Sequence, residues 1–240
     1  MAYVERIAES PERARMPIAA AAVDRRRGDW ETIRTSPRTR MLRLPEHEIV
    51  FREGDPADRL YEVCDGAVML YKLLPDGRRQ VVEVLGPGDL FGMTAGEAQD
   101  CDAETLVASG VRVIDRREAE TSDGGQRYIA RCLRDRLADL RDHAVLLGRK
   151  SAFERVATFL VRMVPRRGRD GCVGRSADGD AATVRLAMTR QEIADYLGLT
   201  IETVSRVISD MRRRGVVVAE RQDRLKIPDV CALCRLSGRR

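Results

Sequence analysis

The spacing of apolar and polar positions changes twice along the 240 residues. From about residue 41 to 115, short apolar runs alternate with turn residues. The runs are Glu48-Ile-Val-Phe51, Leu60-Tyr-Glu-Val-Cys64, Ala67-Val-Met-Leu-Tyr71, Gln80-Val-Val-Glu-Val-Leu85, and Leu106-Val107 through Val111-Arg-Val-Ile114. Between them fall Glu53-Gly-Asp-Pro56, Asp65-Gly66, Pro75-Asp-Gly77 and Gly86-Pro-Gly-Asp89. Turns this closely spaced predict an antiparallel barrel or jelly roll. From about 125 the period becomes helical. Ile129, Leu133, Leu137, Leu140, Ala144 and Leu147 follow one another at intervals of three or four, with charges on the other faces. Such a narrow, long stripe marks a helix seam and favours a homodimer over a helix packed only on its own domain. Residues 1–40 are polar and Arg-rich with no clear period. They are expected to form a mobile extension that Trp30, the only tryptophan, would tack onto the body.

The segment richest in chemistry is 189–215. Thr189 followed by Glu192 is a capping box. Ile193, Ala194 and Leu197 give the helix that starts there one apolar face, and Gly198 ends it in a tight turn. Thr200 caps a second helix, whose inward stripe is Val204, Val207, Ile208 and Met211, and Gly215 terminates it. Two short helices joined by a three-residue turn form a helix-turn-helix. Glu202, Ser205, Arg206 and Ser209 then face outward, where the second helix of this motif meets base edges. Arginine pairs best with guanine, Glu accepts from cytosine N4 and Ser serves several bases, so Glu202, Ser205 and Arg206 are the candidate readers. Arg212, Arg213 and Arg214 at the helix exit are candidate phosphate contacts, joined by Arg190, Thr200 and Thr203. Val216-Val217-Val218 and Leu225-Lys-Ile227, split by residues 220–224, predict a hairpin wing.

Charge sharpens this picture. All but three of the 43 basic residues are arginines, and the net charge is only +5. Residues 41–150 hold 16 bases and 21 acids, whereas 151–240 hold 18 bases and 11 acids. A basic module attached to an acidic one fits binding of double-stranded DNA. The longest apolar run, Met16 to Val23, is too short for a membrane helix and has the wrong flanks for a secretory signal, so a cytoplasmic protein with no membrane partner is expected. No clustered carboxylates, Ser/His/Asp set or phosphate loop suggests an enzyme, and no catalytic residue is assigned.

At this point the sequence resembles the Crp/Fnr superfamily of bacterial transcription regulators, most of all its FixK branch, over roughly residues 41 to 236. The likeness rests on Pro75-Asp-Gly-Arg-Arg-Gln80, Pro87-Gly-Asp-Leu-Phe-Gly92, Asp142-His143 through Leu146-Leu-Gly-Arg-Lys150, Glu154-Arg-Val-Ala157 and the helix-turn-helix with its Glu202-x-x-Ser205-Arg206 pattern. It implies an α+β chain: an amino-terminal β-roll of the cyclic-nucleotide-binding jelly-roll type at 41–124, a long dimerisation helix at 125–150 and a winged helix-turn-helix at 151–240. It further implies a homodimeric regulator, an activator of low-oxygen and nitrogen-fixation genes working with RNA polymerase. The implied target is a palindrome close to TTGAT-N4-ATCAA, with Arg206 on the guanine, Glu202 on the opposed cytosine and Ser205 on a neighbouring thymine.

The sensory half departs from its liganded relatives. Cyclic-AMP-binding members carry Gly-Glu and then an Arg-Ser/Thr pair on the phosphate. Here Gly96-Glu97 is present but no Arg or Lys occurs from Met93 to Gly110, leaving a buried phosphodiester uncompensated. Oxygen-sensing members hold an iron–sulfur cluster on closely spaced amino-terminal cysteines, whereas residues 1–63 contain none. His47 and His143, the only histidines, read as surface or packing residues rather than haem ligands. Cys231-x-x-Cys234 offers two of the four ligands a structural zinc needs and reads as core packing. Cys172, in a Gly-rich charged stretch, is a possible redox thiol. No cofactor and no metal are therefore expected. The alternative is a ligand- or redox-gated regulator with an unidentified effector in the β-roll.

Overall fold

A computed structural model describes residues 28–164, 181–221 and 223–238. Cys172 and residues 1–27 lie outside the described residues. The last part of the expected extension is not one: Gly28–Arg34 forms α1. Trp30 and Ile33 of α1 are buried, and the indole stacks on Tyr128 with ring centroids 4.2 Å apart. An apolar face of one aromatic and one aliphatic side chain suffices to dock so short a helix.

Eight strands follow: β1 (Arg40–Leu44), β2 (Ile49–Phe51), β3 (Arg59–Asp65), β4 (Val68–Leu73), β5 (Arg79–Leu85), β6 (Leu90–Phe91), β7 (Asp102–Thr105) and β8 (Ser109–Asp115). They make two antiparallel four-stranded sheets, ordered β1-β8-β3-β6 and β2-β7-β4-β5, the jelly roll the turn spacing predicts. Each expected turn carries a glycine at positive φ. At Gly66 the requirement is steric as well, since a Cβ would lie 2.2 Å from Ser109 Oγ. The roll interior is filled by Phe51, Tyr61, Val63, Val68, Phe91 and Val111.

Helix α2 (Arg116–Thr121) leads into the 27-residue α3 (Asp123–Arg149), capped by Ser122. Two faces of α3 do different work. Gly125, Cys132, His143 and Leu146 turn toward the protein's own body, as does Arg136, whose guanidinium pairs with Glu83 and donates to the Leu90 carbonyl. The predicted leucine stripe lies on another face. Leu133, Leu137 and Leu140 are 46, 48 and 40% exposed, Ala144 is exposed, and only Ile129 and Leu147 at the two ends are half-buried.

The remaining elements are α4 (Ala152–Arg162), β9 (Ala182–Arg185), α5 (Arg190–Leu197), α6 (Ile201–Arg213), β10 (Val218–Arg221), β11 (Arg224–Ile227) and α7 (Val230–Leu236). The wing is a three-stranded sheet, ordered β10-β11-β9. Strand β10 begins two residues later than the sequence suggests, after Val216 and Val217, whereas β11 begins one residue earlier, at Arg224. One apolar cluster runs from Met69, Tyr71 and Val81 on the roll into Val156, Leu160, Leu197 and Met211, so roll and helical domain share a core. Cys231 and Cys234 on α7 are buried at its edge. No helix among the described residues is long and apolar enough to cross a membrane.

Candidate nucleic-acid interface

The helix-turn-helix is built from its caps. Thr189 Oγ1 accepts the Glu192 N–H at 3.2 Å and Glu192 Oε2 accepts the Thr189 N–H at 2.7 Å, so α5 starts where the capping box places it. It ends at Gly198, whose φ of +59° is left-handed and whose missing Cβ would meet Leu147 and Arg155 at 3.3 and 3.5 Å. Thr200 Oγ1 accepts the Thr203 N–H and opens α6. Val204, Ile208 and Met211 are buried, each contributing roughly 1.5–3 kcal/mol. Val207 is half-buried. Gly215, at φ +67°, follows the carboxyl-terminal cap.

With that stripe inward, Glu202, Ser205, Arg206 and Ser209 stand exposed on the opposite face of α6, as the helical period requires. Arg206 Nη2 donates to Thr203 Oγ1 at 3.4 Å, and the Thr203 and Thr200 hydroxyls are 3.1 Å apart. The Glu202 carboxyl is held below its ordinary pKa, first by its own backbone N–H, then by the Thr200 hydroxyl and the Arg206 charge. It is therefore an ionised acceptor beside a cationic donor. That pair suits the two strands of a G·C base pair.

The candidate phosphate contacts separate into two kinds. Arg213 and Arg214 both pair with Asp210, at 2.6 and 2.8 Å, and Arg214 also lies over the Phe153 ring. Their charge is partly compensated within the helix. Arg212 is exposed and makes no ion pair among the described residues. Burial, and then the Arg212 charge, lower the pKa of Arg190 at the start of α5. Their mutual repulsion, with no ion pair to either among the described residues, favours an anion such as a backbone phosphate. Every residue of β10 is exposed, including Arg221 on the wing.

Arg155 has no role in the sequence reading, yet it sets the position of the whole motif. Its guanidinium donates to the Leu147 and Lys150 carbonyls at the end of α3, at 2.6 and 2.9 Å, and to the Leu197 and Gly198 carbonyls of the turn, at 2.9 and 3.3 Å. One planar, five-donor group thus pins the helix-turn-helix to the long helix. The His143 ring stacks on Tyr196 of α5 at 4.4 Å and is 7% exposed. Burial, helped by Arg162, pushes its pKa down to about 4, so the ring is neutral. From the roll, Arg79 Nε reaches Asp195 on α5 at 2.9 Å.

Two families match the chain. A Crp-like helix-turn-helix domain covers residues 154–236 and a cyclic nucleotide-binding domain covers residues 41–121. The nitrogen fixation regulation protein FixK of Rhizobium meliloti is 38% identical over 183 residues, 76% of this chain and 80% of its own. The transcriptional activatory protein AadR of Rhodopseudomonas palustris is 38% identical over 74% of this chain and 73% of its own. The solved structure of FixK2 from Bradyrhizobium japonicum superposes with a TM-score of 0.72 at 34% identity, covering 82% of this chain and 96% of that one.

The chain belongs to the Crp/Fnr family.

As a Crp/Fnr protein with a FixK-like sequence, it is a DNA-binding transcription regulator. Helix α3 lies between the two matched segments, with the exposed leucine stripe on one side and the Arg155 clamp at its end.

Proposed function

We propose that the protein acts as a homodimer that reads a TTGAT-N4-ATCAA-like palindrome and activates, with RNA polymerase, genes of low-oxygen metabolism, nitrogen fixation among them. The observation that carries the reading is the α6 face, where Glu202, Ser205 and Arg206 stand exposed, with Arg190 and Arg212 making no ion pair among the described residues. Reading one half-site uses one such face, and a palindrome needs two related by a two-fold axis. The leucine stripe of α3 supports the dimer: Leu133, Leu137 and Leu140 form an apolar seam left exposed by the described residues of the single chain. The names of FixK and AadR support activation and the gene class.

We infer further that the regulator works without a cyclic nucleotide, iron–sulfur cluster or haem. Arg116 does reach the loop where a cyclic phosphate would sit, but its donors are committed to the Ala57, Gly96 and Thr94 carbonyls, and it pairs with Glu120 at 2.6 Å. Turning it onto a phosphate would strand those carbonyls. A second reading, gating by a small effector, is favoured by a cavity of about 330 Å³ between β5 and α3, with Val84, Leu140, His143, Phe159 and Tyr196 in its lining. Titration of purified, metal-free protein onto the palindrome tests both. Tight binding without additives is expected. Binding only after a metabolite is added would favour the effector reading.

A further inference from the structure

At the seam between the roll and the helix-turn-helix, three side chains from three elements converge. They are His47 in the turn before β2, Glu104 on β7 and Glu192 on α5, and one ligand atom from each lies within 4.8 Å of the other two. His47 Nδ1 is 3.2 Å from Glu104 Oε1 and 3.6 Å from Glu192 Oε1. For bonds of about 2.0–2.2 Å, donor atoms on a tetrahedral metal stand roughly 3.3–3.6 Å apart, so the two gaps from His47 match two edges of such a site, and the Glu104–Glu192 pair lies within 4.8 Å.

Hydrogen bonding alone accounts for the cluster poorly. Nδ1 can carry one proton but faces two carboxylate oxygens. The capping box occupies Oε2 of Glu192 and leaves Oε1, on a carboxylate only 4% exposed, directed at the imidazole. Among the described residues, four carboxylates, Glu46, Glu104, Glu192 and Asp195, lie around this histidine, Arg79 and the Tyr71 hydroxyl, which hydrogen-bonds Glu104. Arg79 pairs with Asp195 at 2.9 Å and approaches only the other oxygen of Glu104, at 3.8 Å. The far ring nitrogen, Nε2, lies 3.5 Å from Glu46 Oε1, near a carboxylate but without a hydrogen bond to it. His47 is 44% exposed on its side chain, which leaves an entry path.

We propose that His47 Nδ1, Glu104 and Glu192 bind a divalent transition-metal ion of the zinc class, with a fourth position open to water. The ion would tie the roll to α5, the first helix of the DNA-reading motif, and would add to the function above, which needs no cofactor. Metal binding is measured without DNA, so its outcome is independent of that function.

The test uses the full chain, stripped with chelator and titrated with Zn2+ alone against a chromophoric competitor. Wild type is compared with His47→Ala, Glu104→Gln and the double variant Cys231→Ser/Cys234→Ser, with far-UV circular dichroism to confirm folding. The expected result is one equivalent of zinc per chain in wild type and in the cysteine variant, at least about a tenfold loss of affinity in each of the other two, and a zinc-dependent rise in melting temperature that His47→Ala abolishes. No zinc binding by wild type, unchanged binding by a folded His47→Ala or Glu104→Gln, or loss confined to the cysteine variant would overturn the proposal.

Discussion

The roll and the winged domain both contain many arginines, yet they use them in opposite ways. In the amino-terminal half the guanidiniums are mostly occupied from within. Arg34 and Arg112 converge on buried Glu62, Arg136 holds Glu83, Arg79 holds Asp195 and Arg116 caps three carbonyls. In the winged domain Arg155, Arg185, Arg213 and Arg214 are likewise engaged, while Arg206 and Arg212 stand outward with no ion pair among the described residues. Net charge gives the sign of each half. Whether a guanidinium is already satisfied decides if it can bind anything else, because a new partner must outweigh the one it replaces.

The comparison can be broken most severely at the link between two winged domains. Leu133→Asp with Leu137→Asp puts charge on the exposed α3 stripe without touching a buried contact. It should convert a dimer to a folded monomer in analytical ultracentrifugation and weaken palindrome binding by more than about a hundredfold, since one half-site alone remains. A variant that stays dimeric would show that the stripe is not the seam. Next in size, Arg206→Ala should cost roughly 1–3 kcal/mol, concentrated at one base pair of each half-site in a panel of substituted duplexes. An equal loss on every sequence would move Arg206 from the base readers to the phosphate contacts.

Arg190→Ala and Arg212→Ala should do the converse. Each should weaken all sequences alike and lower the slope of log K against log salt by about 1. Arg213→Ala, already paired with Asp210, should change that slope less.

The pH effect at the junction falls on stability rather than on DNA binding and vanishes at neutral pH. The His143 pKa falls from 6.5 to about 4 on folding, so between those values the unfolded chain takes up a proton that the native ring refuses. The ring's contribution is complete above pH 6.5 and is lost as pH falls toward 4. His143→Phe keeps the stack on Tyr196 and should flatten melting temperature against pH in that window. Parallel curves for the two proteins would contradict this.

Much of the fold was legible because its signals are local. Gly54, Gly66, Gly77 and Gly88 mark the roll's turns, and Thr189, Gly198, Thr200 and Gly215 mark the helix-turn-helix one residue at a time. What escaped lacks such marks. Strands β7 and β9 read Asp-Ala-Glu-Thr and Ala-Thr-Val-Arg, too short and mixed for an alternating pattern to declare itself. Helix α1 is held by its contact with Tyr128, almost a hundred residues on, and its own seven residues carry little periodicity. The candidate readers followed from helical period together with the base-pairing chemistry of their side chains. The Arg155 clamp did not, since its acceptors are backbone carbonyls as far as 43 residues away, which have no sequence identity. Asp210, by contrast, pairs with Arg213 and Arg214 at i,i+3 and i,i+4, a spacing the sequence carries but the reading did not use.

The most direct test of sequence-specific reading by the α6 face is selection from random double-stranded DNA with purified, cofactor-free protein. Two inverted half-sites related by a two-fold axis, each with the guanine whose selection Arg206→Ala relaxes, are the predicted result. Recovery of unrelated sequences, or of a site unchanged by Arg206→Ala, would contradict the account.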